Sequence, residues 1–179
     1  MNDLNLVKPS GNYLSEIAAY KSEFVVAGEH LYGGARLETM RNLSEWLTYV
    51  ADITSEVGVS EGRVPSSTFL CIRQSDQRMV GICNIRHNLS QPFLMNCAGH
   101  IGYSIRPSER RKGYAKEQLH LALFEAGKLG ITKALVTCDE TNIGSEKTIL
   151  SNGGIYENTY QDINDGSRTK RFWIEVTEK

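Results

Sequence analysis

The sequence predicts an α/β (α+β) fold, a mixed, mostly antiparallel sheet of about six to seven strands flanked by about four helices, in a single domain spanning residues 1–179. Three observations predict it. Two apolar runs, residues 67–73 and 79–87, are separated by the polar stretch Gln74-Ser-Asp-Gln77, which is the pattern of a hairpin. After Gly99 the apolar period changes. Ile101, Tyr103 and Ile105 share one face of a strand, whereas Ala115, Leu119, Ala122, Leu123 and Ala126 fall on one helical stripe. A β-branched apolar run at residues 132–138 then completes a strand–helix–strand unit, which implies a right-handed crossover to a parallel neighbour.

The other elements follow in order. Residues 4–9 read as a first strand. Asn12 is placed to cap a helix whose apolar positions are Leu14, Ile17, Ala18, Phe24 and Val25, ended by Gly28 and the Gly33-Gly34 pair. Asn42 followed by Glu45 resembles a capping box and starts a second helix, with Leu43, Trp46, Leu47 and Val50 inwards. Trp46 and Tyr49 read first as core and second as ligand contacts. Gly58-Val-Ser60-Glu-Gly62 matches the G-x-S-x-G of a nucleophile elbow, but a helix precedes it and a strand follows. That order is the reverse of an elbow, so it reads as a polar loop. Residues 88–97, with Pro92, read as a loop. Pro107 ends the strand that begins at Gly99, Gly127 is tolerated in the long helix, and Gly130 stops it. Residues 145–150 form a short helix ended by Asn152-Gly153-Gly154. Residues 155–160 and 170–176 form a last hairpin about Asn164-Asp165-Gly166.

Composition removes several function classes. The 179 residues are 40% hydrophobic and 23% charged with a net charge of −1, so no global basic surface invites nucleic acid or an anionic membrane. No apolar run reaches spanning length, and Met-Asn-Asp-Leu-Asn-Leu has no signal-peptide character, so the expected location is cytoplasmic. Cys71, Cys83, Cys97 and Cys138 form no C-x-x-C pair and the four His are scattered, so no metal site is expected.

The chemistry concentrates in Tyr103-Ser-Ile-Arg-Pro-Ser-Glu-Arg-Arg-Lys-Gly-Tyr-Ala115. Gly113 lets the backbone approach a ligand, and the first amides of the following helix lack partners, so the turn suits a phosphate or pyrophosphate. Arg106, Arg110, Arg111, Lys112 and Lys116 face only Glu109 and Glu117, which predicts a positive local field. The plainer alternative is a solvated basic turn that caps a helix.

Arg110-x-x-Gly113-x-Ala115 resembles the Arg/Gln-x-x-Gly-x-Gly/Ala signature of the GNAT superfamily of N-acetyltransferases, and Tyr103-Ser-Ile105-x-Pro107 resembles the apolar-x-apolar-x-Pro strand ahead of it. Asn142-x-x-Ser145 followed by Asn152-Gly153 is similar to the next motif of that family. The resemblance is most specific from about Ser67 onwards, and the whole chain is similar to bacterial predicted acetyltransferases of the superfamily. It implies a GNAT fold in which residues 1–66 carry the first strand and the acceptor-side helices, and 67–179 the cofactor-binding core. It implies acetyl-CoA as cosubstrate, held by Tyr103, Ser104, Ile105, Arg110, Arg111, Lys112, Gly113, Tyr114, Ala115 and Lys116, with Asn142 and Ser145 on the pantetheine side. A homodimer stays open, because dimers are common in the family.

The reaction so implied is attack of a neutral amine on the thioester carbonyl, with the oxyanion held by strand amides near Ser104 and Ile105. The acceptor is a small-molecule or peptide amine. Arg86, His87 and His100 are expected on its side. His100 is the candidate base, with a hydrogen-bonded structural His as the equal alternative. Many relatives place a Tyr acid seven residues after the motif Asn. Here that position is Ile149, so Asn142 and Tyr156 are the remaining catalytic candidates. Because the Tyr is missing, a non-catalytic acyl-CoA-binding or sensing module is the alternative function. A nucleotide hydrolase or kinase lacks its motif, since neither G-x-x-x-x-G-K-[ST] nor G-x-G-x-x-G is present.

Overall fold

The structure is a computed structural model that describes residues 3–176. In chain order it contains β1 (Leu4–Val7), α1 (Leu14–Ala27), α2 (Leu43–Asp52), β2 (Ser66–Arg73), β3 (Arg78–Arg86), β4 (Ile101–Ile105), α3 (Tyr114–Lys128), β5 (Lys133–Asp139), α4 (Ile143–Leu150), β6 (Ile155–Gln161) and β7 (Arg168–Glu175). The mixed α/β class and the number of elements agree with the sequence reading.

The sheet departs from that reading in one respect. It is split into β1-β2-β3-β4 and β5-β7-β6, and every ladder in both parts is antiparallel. The expected parallel pairing of β4 with β5 is reduced to a junction at their starts, where His100 N donates to Leu135 O at 2.7 Å. Further along, the Tyr103 hydroxyl reaches Ser145, beyond the end of β5. The two strands therefore run in the same sense and part after the first turn of the pleat, leaving a gap.

The period of two sorts the buried side chains. Leu70, Ile72, Met79 and Ile82 face α1 and α2 and pack with Ile17, Tyr20, Phe24, Trp46 and Val50. Phe69, Cys83, Ile85 and Ile101 face the other way, against Leu119, Ala122, Leu123 and Ala126 of α3 and Val136 and Phe172 of the second sheet. β2 and β3 are covered on both faces, which is why their sequences run apolar without clean alternation. Trp46 is fully buried, and its Nε1 donates to Gly34 O and Ala35 O, both at 3.0 Å. It is core, and it pins the loop between α1 and α2; truncation to Ala would cost roughly 3–5 kcal/mol.

Local details differ from the sequence reading for identifiable reasons. Asn12 caps nothing: residues Gly11–Tyr13 form a 3-10 turn and Tyr13 occupies the cap position without a side-chain bond. Val25 is 66% exposed and Tyr20 takes the buried position instead. Asn42 does cap α2, accepting from Ser44 N and Glu45 N. On α3 the polar Gln118 is buried, and its Nε2 donates to Ile82 O at 2.9 Å. Residues 88–97 are not all loop, because Leu94–Ala98 coil into a π-helical turn closed by Gly99 N donating to Leu94 O.

Candidate functional site

The site begins with the free side of β4. Arg86 N donates to His100 O and Arg106 N to Val80 O, both at 2.8 Å, which fixes the phase of the antiparallel ladder with β3. Residues 102 and 104 then point their amides at β3, and 101, 103 and 105 point theirs into the gap. The Tyr103 and Ile105 amides find no acceptor among the described residues. The sequence reading placed such amides near Ser104 and Ile105. The ladder phase selects Tyr103 and Ile105 and turns Ser104 away. The Ser104 hydroxyl instead donates to Tyr32 O at 2.6 Å and lies 2.9 Å from the Tyr20 hydroxyl.

Beyond β4 the chain makes a short turn at Pro107–Glu109 and enters α3 through two left-handed residues, Arg111 (φ 64) and Gly113 (φ 85). This backbone turns a row of amides outwards. None of the N–H groups of residues 111–116 meets an acceptor among the described residues. Gly113 borders open space where a Cβ would sit, and a groove of about 730 Å³ lined in part by Lys112, Gly113, Lys116, Glu117 and His120 runs alongside. Outward amides at the positive end of a helix form a concavity for an anion. Tyr114 and Ala115 contribute those amides, while the Tyr114 hydroxyl takes a bond from Arg73 Nη1 at 2.9 Å.

The side chains of the turn are less available than its backbone. Arg106 is 3% exposed and bonds Glu23 at 2.7 Å and Glu16 at 3.0 Å. Arg110 bonds both oxygens of Glu29, lies over the Phe24 ring, and reaches Ile105 O at 3.2 Å. Lys112 bonds the buried Glu109, which also holds Arg73 and Arg78. The expected positive field is thus largely neutralised by Glu16 and Glu23 of α1, by Glu29 just beyond it, and by Glu109. Among the described residues Arg111 and Lys116 have no carboxylate within 4 Å.

On the far flank of the gap, Asn142 is the N-cap of α4 and its Oδ1 accepts from Ser145 N at 3.0 Å. Its Nδ2 makes no bond among the described residues. The Ser145 hydroxyl lies 2.9 Å from that of Tyr103, so β4 and α4 touch across the gap. Burial pushes Tyr103 up to about 12, which keeps its hydroxyl protonated. Ile149 is fully buried in the core. Tyr156 is not brought to this place: it lies exposed on β6, with its hydroxyl on Thr159.

The other face of β4 is covered by the α1–α2 loop. Gly33 (φ 75) lies so close to Gly102 that any side chain would collide with the Gly102 carbonyl. Beside this contact is a cavity of about 490 Å³, lined in part by Arg36, Tyr49, Arg63, Ser66, Asn84 and Arg86. Arg86 is there as expected. His87 turns to the opposite face, with Nε2 2.9 Å from Ser67 Oγ, and does not line the cavity. His100 is buried with Nδ1 accepting Leu135 N at 2.9 Å; burial first and the Arg86 cation second lower it to about 4. Asn84 and Ser66 escaped the sequence reading. Their signal was a pair of polar residues within otherwise apolar strands, tied by Asn84 Nδ2 to Ser66 Oγ at 3.0 Å.

A family model described as an acetyltransferase (GNAT) domain matches residues 16–155. No curated protein sequence matches significantly. Among solved structures, the microcin C7 self-immunity acetyltransferase MccE, in complex with acetyl-CoA and AMP, is similar with a TM-score of 0.68 at 15% identity, covering 98% of this chain and 94% of that one. An acetyltransferase from Salmonella typhimurium that modifies the N-terminal serine of a ribosomal protein gives 0.68 at 15%, with 99% and 97% covered. A GNAT-family acetyltransferase from Bacillus anthracis gives 0.67 at 17%, with 98% and 96% covered. At these identities the likeness is one of fold.

Proposed function

Since the chain belongs to the GNAT acetyltransferase family, we propose that it moves an acetyl group from acetyl-CoA to a primary amine by direct attack within a ternary complex. One observation carries the reading: the outward amides of residues 111–116 continue into the gap-facing amides of Tyr103 and Ile105. The first row suits a pyrophosphate and the second a carbonyl that becomes an oxyanion. Acetyl-CoA supplies the activated acetyl group. Asn142 Nδ2 and the Ser145 hydroxyl offer polar contacts to its arm, and Arg111 and Lys116 add charge near its phosphates.

The amine enters from the 490 Å³ cavity and loses its proton to solvent at the cavity mouth. We assign His100 a positioning role, because an Nδ1 that accepts a backbone N–H leaves the ring proton on Nε2 and no lone pair for the amine. Tyr103 takes the place left by Ile149: its hydroxyl, bonded to Ser145, donates a hydrogen bond to the departing thiolate. A cytoplasmic location suits the four free cysteines, three of them buried.

The test is calorimetric titration of acetyl-CoA with ATP as control, followed by an amine screen read by free thiol. Micromolar binding and thiol release with an amine are expected. Binding without release from any amine would favour the sensing module, and no binding would end the acetyltransferase reading.

A further inference from the structure

Arg86 differs from the other arginines withdrawn from solvent. Arg73, Arg78, Arg106 and Arg171 each hold a carboxylate within 4 Å. Arg86 holds none among the described residues. Its Nη1 is spent on two backbone carbonyls, Ala98 O at 3.1 Å and Gly99 O at 3.0 Å, which carry no net charge. Its Nε and Nη2 have no protein acceptor among the described residues, and Nη2 lies 3.5 Å from where a Gly102 Cβ would sit. The guanidinium therefore faces the cavity beside the reacting strand. Burial lowers Arg86 to about 10, the mark of a cation without a counter-charge.

The rest of the lining repeats the sign. Arg36 is held in the left-handed conformation (φ 68) over the Tyr49 ring, 5.4 Å from its centroid, and Arg63 is a third cation. Among the described residues no Asp or Glu lines the cavity. A half-buried cation with open donors is costly unless an anion completes it. Guanidinium matches planar carboxylate and phosphoryl groups with paired donors. A polycation would meet three like charges.

We propose that the acceptor is a compact anionic amine, an amine bearing a carboxylate or phosphoryl group that is received by Arg86 and supported by Arg36. The amine must lie close to its anionic group, because Arg86 Nη2 approaches Gly102, next to the Tyr103 amide in the gap. This names the substrate class for the acetyltransferase reading and rests on it.

The experiment follows the Arg86 Nε–H resonance in labelled protein saturated with coenzyme A, so that the pyrophosphate turn is occupied. Inorganic phosphate, β-alanine, O-phosphoethanolamine, ethanolamine and spermidine are titrated separately. Phosphate and at least one anionic amine are expected to shift the resonance to saturation, and ethanolamine and spermidine are not. The better of β-alanine and O-phosphoethanolamine tells carboxylate from phosphoryl. By calorimetry, Arg86→Gln should weaken anion binding by about tenfold or more while coenzyme A affinity is unchanged. No saturable shift with phosphate, unchanged anion affinity in Arg86→Gln, or tighter binding of spermidine than of either anionic amine would each overturn the proposal. Failure of coenzyme A to bind would instead remove the acetyltransferase reading, and the titration without it would still decide whether Arg86 is an anion site.

Discussion

His100 and the backbone of Leu135 exchange two bonds: the backbone N–H of His100 donates to Leu135 O, and Leu135 N donates to the imidazole Nδ1 of His100. The ring substitutes for the carbonyl that a continuing parallel ladder would have supplied. It closes the junction of the two sheets at the point where they part.

The first prediction concerns this ring. Nitrogen shifts should show the Nε2–H tautomer, with no titration between pH 5 and 8. Folding lowers His100 to about 4 from the ordinary 6.5. The unfolded chain therefore binds the extra proton first, and stability should fall as pH drops from 6.5 towards 4. His100→Ala should lose that slope and leave the Leu135 N–H unpaired, at a cost of about 1–3 kcal/mol. A ring that titrates near 6.5 in the native state would return His100 to the role of base.

Gly113 is the second target. At φ 85 any side chain is strained, by roughly 1–2 kcal/mol for an L-residue, yet the space around the position is open, so the variant should still fold. Gly113→Val should therefore weaken acetyl-CoA by about tenfold or more, because a β-branched group would stand where the pyrophosphate approaches. Equal affinity by calorimetry would show that the turn is not the cradle.

Tyr103→Phe removes one oxygen and little else. If the hydroxyl bonds the leaving sulfur, kcat should fall by roughly tenfold while acetyl-CoA affinity is nearly unchanged. A matching loss of affinity with unaltered kcat would make Tyr103 a binding residue only.

Arg106→Met breaks a buried cluster. Two carboxylates, Glu16 and Glu23, lose their closest cation, Glu23 keeping only the longer contact to Arg78, and about 3 kcal/mol should disappear, seen as a melting point lower by roughly 6–12 °C. Glu23 and Glu109 add an acid limb. Burial alone would raise each, but Ser108 and Arg106 on Glu23, and Lys112 and Arg73 on Glu109, outweigh it and hold both below the ordinary 4.5. Their contribution is present in full above that unfolded-chain value and is lost below it, as pH falls through the lower native one. A melting point independent of pH below 5 would contradict this.

The strands, the turn at Gly113 and the caps at Asn42 and Asn142 were legible in the sequence because each is set by near neighbours: period, Pro and Gly placement, and Asn side chains within three residues of their partners. The charges of the turn were misread because their partners are remote. Glu16 and Glu23 lie 90 and 83 residues from Arg106, and Glu29 lies 81 from Arg110. Their spacing of seven, beside the apolar Ile17 and Phe24, placed both carboxylates on one side of α1, but nothing local said what they would meet. The split sheet was equally hidden, because a strand that lacks a neighbour on one side has the same composition as one that has it. Tyr103 was named for its position in the motif; its contact with Ser145 depends on tertiary packing alone.

The bare side of β4 has a further consequence. An unpaired strand edge normally lies at a protein's periphery, where it risks joining another chain. Here it lies inside the molecule, flanked by β5 at a distance that, among the described residues, no backbone bond spans after the first. Whatever lies in the gap acts as a missing strand. Coenzyme A, whose arm carries amides of its own, would then complete a ladder that the chain cannot close by itself, and the melting point should climb with the logarithm of its concentration. The pool of coenzyme in the cell would set how much of this protein persists with the gap unfilled, and so how much is held at the lower stability of the open ladder.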